Sequence, residues 1–218
     1  MTWLRTGLVD EEALAGVPEW LHPVAASVRN TDVETWTRFI PPDGEGTAAA
    51  VLILFGDGPD ILLTERAADL RAHGGQPAFP GGVVDATDAS HIDAALREAH
   101  EETGLDPAGV QVFGQLPDLW LPVSNYAVRP ILGWWREPTT VGRSAEVASV
   151  HRVPIAELVD PANRCRVRHP SGYVGPGFLV RDLLVWGFTG GLISIVVESA
   201  GWAVPWDTER VIPLGDAP

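Results

Sequence analysis

Apolar and polar positions divide the chain into a series of short elements. "TAAAVLILFG", residues 47–56, is an almost continuous apolar run of strand length, and "PDILLTER" repeats the signal after the turn residues "DGPD". Such a pair predicts two antiparallel strands joined by a hairpin. "AFPGGVV" reads as a short strand entering a Gly-Gly turn. In "DASHIDAALREAHEETG", Ile92, Ala95, Leu96 and Ala99 form an apolar stripe at helical spacing. Asp88 or Ser90 can cap its start, and Gly104 before "LDPAG" supplies a left-handed stop. "VQVFGQL", "VRPILGWW" and "EVASVHRVPI" read as strands, "IAELVD" begins a short helix, and "FLVRDLLVWGFTGGLISIVVES" ends in a helix. Strands mixed with helices, without an internal repeat or a low-complexity linker, predict one α/β domain. Ahead of it stand the acidic, weakly helical "VDEEALAGVPEWLHPVAASVRN" and the loop "IPPDGEG". The expected division is a helical extension over 1–44 packed on the domain, the domain itself over 45–200, and a C-terminal tail over 201–218.

Charge changes the picture. The 218 residues carry 15 Lys plus Arg against 29 Asp plus Glu, a formal −14, and every one of those cations is arginine. A nucleic-acid partner is disfavoured by such a field, and an anionic ligand needs a local arginine cluster or metal ions to enter it. The single cysteine, Cys165, excludes an internal disulfide and a cysteine-based metal cluster. The N-terminus lacks a basic stretch followed by a long apolar run, and no window approaches about eighteen consecutive apolar residues. A cytoplasmic protein that does not engage a membrane is expected.

The predicted helix over "SHIDAALREAHEETG" carries Glu98, Glu101 and Glu102. Steps of about 100° place Glu102 roughly 40° and Glu101 roughly 60° from Glu98, so the three share a face. Like charges at these spacings weaken a helix, and the C-terminal dipole adds to the cost. Such a face is either solvated or meant for a cation. A hard ion such as Mg²⁺ takes carboxylate oxygens, keeps several waters and accepts a substrate phosphate, and a carbonyl of the Gly-Gly turn adds a further oxygen.

"REAHEETGL" has the form Arg-Glu-apolar-x-Glu-Glu-x-Gly-apolar and resembles the second half of the Nudix box, the signature of enzymes that hydrolyse a nucleoside diphosphate linked to another moiety. The resemblance implies an α/β/α sandwich with a mixed β-sheet. It also implies Mg²⁺ or Mn²⁺ held by Glu98, Glu101 and Glu102 with the Gly82 carbonyl, and Arg97 orienting a glutamate. The first half departs from the general box: Gly82 is followed after five residues by Asp88, and eight residues, one more than usual, separate Asp88 from Arg97. A structural role for Asp88, capping the helix, is expected.

The same departure occurs in the coenzyme A pyrophosphatase branch. "LLTERAADLRAHGGQPAFPGG", residues 62–82, resembles that branch's additional signature without a gap, at Leu62, Leu63, Thr64, Arg66, Leu70, Arg71, His73, Gly75, Gln76, Phe79, Pro80, Gly81 and Gly82. It implies metal-dependent cleavage of the diphosphate of CoA or an acyl-CoA. Alternatives are a Nudix enzyme for ADP-ribose or a dinucleotide, and a non-catalytic nucleotide-sensing module. Arg66 and Arg71 offer forked donors for phosphate or structural ion pairs. His73 and Gln76 orient substrate or satisfy loop backbone groups. Phe79 stacks on substrate or packs the core. Glu98 is the first candidate to help activate water, and Glu146, just before "VASV", is a second candidate or an ordinary surface glutamate. The expected partner is a small-molecule substrate; a homodimer is left open.

Overall fold

The computed structural model describes residues 3–29, 31–36, 40–43, 45–66, 75–142 and 144–215. The N-terminal segment forms β1 (Leu8–Val9), α1 (Glu11–Leu14), α2 (His22–Val28) and α3 (Val33–Trp36). The central part follows as β2 (Thr47–Gly56), β3 (Asp60–Arg66), β4 (Pro77–Ala78), β5 (Gly81–Val83), α4 (His91–Thr103), β6 (Val110–Gln115), β7 (Leu119–Leu121), β8 (Tyr126–Trp135), β9 (Val147–Pro154) and α5 (Ile155–Val159). The chain ends in β10 (Arg164–Arg168), β11 (Val174–Val180), β12 (Leu183–Val185), α6 (Gly187–Ser199) and β13 (Val211–Pro213).

The continuous apolar run of β2 has a direct structural reason: the strand is buried on both faces. Ala50, Leu52 and Leu54 face α4, where they meet Ala94, Ala95 and Ala99 together with Leu62, Ile131 and Trp135. The alternate residues Ile53 and Phe55 face the other way, into a larger core. There they join Ile61, Leu63, Phe113 and Leu132, closed over by Leu21, Val24 and Val28 of the N-terminal segment and by Leu192, Ile193, Val196 and Val197 of α6. Helices thus cover both faces of a mixed sheet, an α/β/α sandwich. Its centre is the parallel pair β2 and β8, in register from Thr47 opposite Tyr126 to Phe55 opposite Trp134, with antiparallel strands on either side.

The described residues on either side of the central part pack into this body. Leu14, Val17, Leu21 and Val28 are core residues, and β1 extends the main sheet by pairing with β6. Within 201–215, β13 lies parallel to β10. It closes a second sheet with strand order β12-β11-β10-β13. Among the described residues no helix is long and apolar enough to cross a membrane.

One departure from a regular sheet positions the site. β2 and β3 are paired only beside their hairpin, at Phe55 with Ile61 and Gly56 with Asp60. Beyond that they part. β2 takes β5 as its neighbour, with Val51 opposite Gly81 and Ala50 opposite Gly82, while β3 takes β4 and β9. Residues 77–83 therefore span a V between two diverging strands, one end of the segment on each arm.

Candidate active site

α4 forms where its pattern predicts. Ser90 is the N-cap, its hydroxyl accepting the Asp93 N–H at 3.2 Å, and Gly104 ends the helix at φ 74°. The expectation that Asp88 caps the helix is corrected. The Asp88 side chain, only 4% exposed, instead accepts the Asp85 N–H at 2.8 Å and two hydrogen bonds from Arg97.

Arg97 uses all its N–H groups. Nε and Nη2 each reach an Asp88 oxygen at 3.0 Å, and Nη2 also donates to the Val83 carbonyl at 3.1 Å. Nη1 donates to Glu98 Oε1 at 2.9 Å and Glu101 Oε2 at 3.2 Å. A guanidinium has five such hydrogens in a fixed plane, so this arrangement locks the ring of contacts in one geometry. The hydrogen bonds to Asp88 and Glu98 push the Arg97 pKa up. The Arg97 hydrogen bonds are also the largest influence holding the Asp88 carboxyl below its ordinary value, against a smaller opposing effect of burial.

The three glutamates share the helix face without sharing an environment. Glu98 lies directly against Gly82, where a Cβ would sit within 2.9 Å of all three carboxylate atoms. Glu102, 8% exposed, accepts the Gly81 N–H at 3.3 Å. Glu101, with 57% of its side chain exposed, turns outward to Arg97. Gly81 is needed for a separate reason: a Cβ there would meet the Ala50 carbonyl and the Val51 backbone within 2.7 Å. Gly81 and Gly82 do not form the expected turn but open strand β5, pairing with Val51 and Ala50, and as strand residues without side chains they bring bare backbone under two carboxylates. Carboxylate and carbonyl oxygens of this kind are the donor set that suits a hard divalent cation. Among the described residues, no three His, Cys, Asp or Glu side chains are grouped so that they could together hold a metal ion.

The other expected residues are placed as follows. Arg66 ends β3 opposite Val147, so Glu146, exposed, stands at the same end of the β3–β9 ladder. No hydrogen bond or ion pair joins Glu146 to the α4 glutamates among the described residues; its backbone N–H donates to Ser144 Oγ at 3.3 Å. Arg71 and His73 lie outside the described residues. Gln76 lines a groove beside Glu65 and Pro77. Phe79 is 4% exposed within the larger core, so its ring packs against protein.

Two constellations were missed. Ser149 Oγ donates to Glu65 Oε2 at 2.5 Å and lies 2.7 Å from His151 Nε2. Glu65 faces Ser149 across the ladder and His151 follows two residues on, so the alternation of β3 with β9 carried the signal. Asp118, fully buried, receives two hydrogen bonds from Arg129 and also binds the Leu4 N–H. An arginine within the apolar "AVRPILGWW" implied a buried partner.

A family model for the NUDIX domain matches residues 45–170. The chain belongs to the Nudix family. It is 42% identical over 163 residues to a protein of Enterobacter sp. (strain 638) described as "Uncharacterized Nudix hydrolase NudL", covering 70% of this chain and 82% of that protein. The Escherichia coli (strain K12 / DH10B) NudL is 41% identical over 152 residues, covering 66% of this chain and 76% of that one. Among solved structures, the Nudix hydrolase RenU from M. smegmatis matches with a TM-score of 0.51 at 18% identity, over 76% of this chain and 99% of that chain. At this identity RenU speaks for the fold alone. Within the Nudix domain the carboxylate site lies on strand β5 and helix α4.

Proposed function

We propose that this Nudix enzyme hydrolyses the diphosphate of coenzyme A or an acyl-CoA, releasing 4′-phosphopantetheine, or its acyl form, and adenosine 3′,5′-bisphosphate. The observation that carries hydrolysis is the seating of Glu98 and Glu102 on the backbone of Gly81 and Gly82. This gathers negative charge over the two glycines that open β5. The narrower choice of CoA is supported by the ungapped signature over residues 62–82, which supplies most of β3, all of β4 and the two glycines that open β5.

Glu98, Glu101 and Glu102, with the Gly82 carbonyl, are the residues that would hold Mg²⁺ or Mn²⁺. A divalent ion bound there polarises phosphoryl oxygens and lowers the pKa of bound water. Arg97 is a positioning residue: it fixes the Glu98 carboxylate over Gly82 through Asp88 and Val83. Glu98, which lies against Gly82, would accept the proton of the attacking water, with Glu146 as the second candidate. Arg66 and Arg71 would supply forked donors for the phosphates of an anionic substrate that the net charge of −14 otherwise repels, and His73 and Gln76 would orient substrate or water.

The test is incubation with CoA and Mg²⁺, followed by chromatography for the two products, with ADP-ribose and NADH run in parallel. Appearance of both products supports the reading. Turnover of ADP-ribose or NADH with CoA untouched assigns another diphosphate, and binding without any product assigns a sensing module.

A further inference from the structure

A groove of about 310 Å³ lies on the α6 side of the V, between β4 and β12. Its size is at the lower end of small-molecule sites, which run to roughly 300–1,000 Å³. One wall is Glu65, Gln76 and Pro77, contributed by the segment that carries the CoA signature. The other comes from the second sheet and includes Asp182, Leu184 and Trp186. The Trp186 ring is held in place by stacking on His169, with centroids 5.8 Å apart and planes at 19°. The Glu65 carboxylate is fixed from behind by Ser149, which in turn touches His151.

The chemistry of this lining is selective. Two carboxylates, Glu65 and Asp182, repel phosphate and accept hydrogen bonds from N–H and O–H groups. Leu184 and Trp186 present apolar surface to alkyl segments. An uncharged chain with amide N–H groups, a hydroxyl and short methylene stretches satisfies both walls.

We propose that this groove is the subsite for the pantetheine arm and that Glu65 and Trp186 determine specificity for it. The inference rests on the CoA reading. Reach is consistent with it. Pro77 of the groove wall is four residues from Gly81 beneath the glutamates, a separation of at most about 15 Å at 3.8 Å per residue. The pantetheine arm has about the length of a four-residue peptide, roughly 14 Å when extended. The arm is thus about as long as the greatest separation between Gly81 and the groove wall.

The test compares wild type with Trp186→Ala, Leu184→Glu and the isosteric Glu65→Gln, each checked for folding by circular dichroism. The KM for CoA with Mg²⁺ is expected to rise about tenfold or more, with kcat within a factor of about two, the pattern of lost binding shared by ground and transition states. Inhibition by 4′-phosphopantetheine weakens in parallel, while inhibition by adenosine 3′,5′-bisphosphate is unchanged. If Leu184→Glu does not fold, the other two variants carry the comparison. Folded variants with unchanged KM and unchanged phosphopantetheine inhibition overturn the subsite and leave CoA hydrolysis standing. A wild type that leaves CoA intact overturns the CoA reading and the subsite with it.

Discussion

Arg97 and Asp88, nine positions apart, meet through two hydrogen bonds of 3.0 Å each, and the same guanidinium holds Glu98. The residue spacing that departs from the general box thus still ends in a contact with the box arginine. Arg97→Lys keeps the charge and loses the planar fork. On the proposed activity, kcat is expected to fall about 10- to 100-fold, the range found when residues that orient metal-binding groups are changed. Asp88→Asn, which weakens the same pair, falls in the same direction. Steady-state kinetics at saturating Mg²⁺ check both, and wild-type kcat in Arg97→Lys would remove its positioning role.

Gly81 and Gly82 are expected to separate stability from activity. In Gly82→Ala the new methyl first meets the end of the flexible Glu98 side chain, which can swing away. In Gly81→Ala it meets the backbone of Ala50 and Val51, which cannot. Urea denaturation should find Gly81→Ala destabilised by about 1–3 kcal/mol, the usual cost of overpacking. Gly82→Ala should lose less stability and most of its hydrolytic rate.

Phe79→Ala should behave as a core truncation, losing about 3–5 kcal/mol in urea denaturation. Asp118→Ala leaves Arg129 partly buried without its carboxylate, and the loss of one partner of a buried pair costs about 3–5 kcal/mol. A loss below about 1 kcal/mol in either variant contradicts the corresponding assignment.

His91, at the first turn of α4, has its pKa pushed down by burial first and then by the Arg129 charge, with Asp118 opposing. Its buried Nε2 has no hydrogen-bond partner among the described residues. The unfolded histidine takes up a proton near pH 6.5, while the folded one stays neutral to a lower pH. Below about pH 6.5 the unfolded state therefore binds more protons, and stability falls until the folded pKa is reached. Urea midpoints measured between about pH 7.5 and about pH 5.5 should drop less in His91→Gln than in wild type. Equal slopes would exclude His91 as a source of the pH dependence.

Hydrophobic periodicity made the main sheet and α4 legible because their apolar residues repeat with the period of the element they form. Ala95 and Ala99 lie where the helical stripe puts them, and Leu52 and Leu54 where a doubly buried strand requires. The second sheet was harder to see. In β10 the alternation is "RCRVR", with Arg164 buried beneath α6, so a charged residue occupies a core position and masks the strand period. Arg164 gains Ser194 and Glu198 as partners and lies 4.7 Å from the ring centroids of both Phe178 and Trp206, contacts that join distant parts of the chain. At the site, the glutamates and their arginine were readable from spacing along one helix. The different environments of Glu98, Glu101 and Glu102 were not, because they depend on which backbone atoms β5 brings beneath the helix.

The parting of β2 from β3 has a consequence for how such a protein can change. The glutamate-bearing helix rests on β5 and hence on β2, whereas the proposed arm groove is walled by β4 and hence by β3. The two functions hang from different strands, joined directly only near one hairpin. On the proposed reading, mutations on the β3 side can therefore accumulate and reshape what is recognised while the glutamates and the glycines beneath them keep their places. The division provides a route by which one inherited chemistry can be turned toward new substrates.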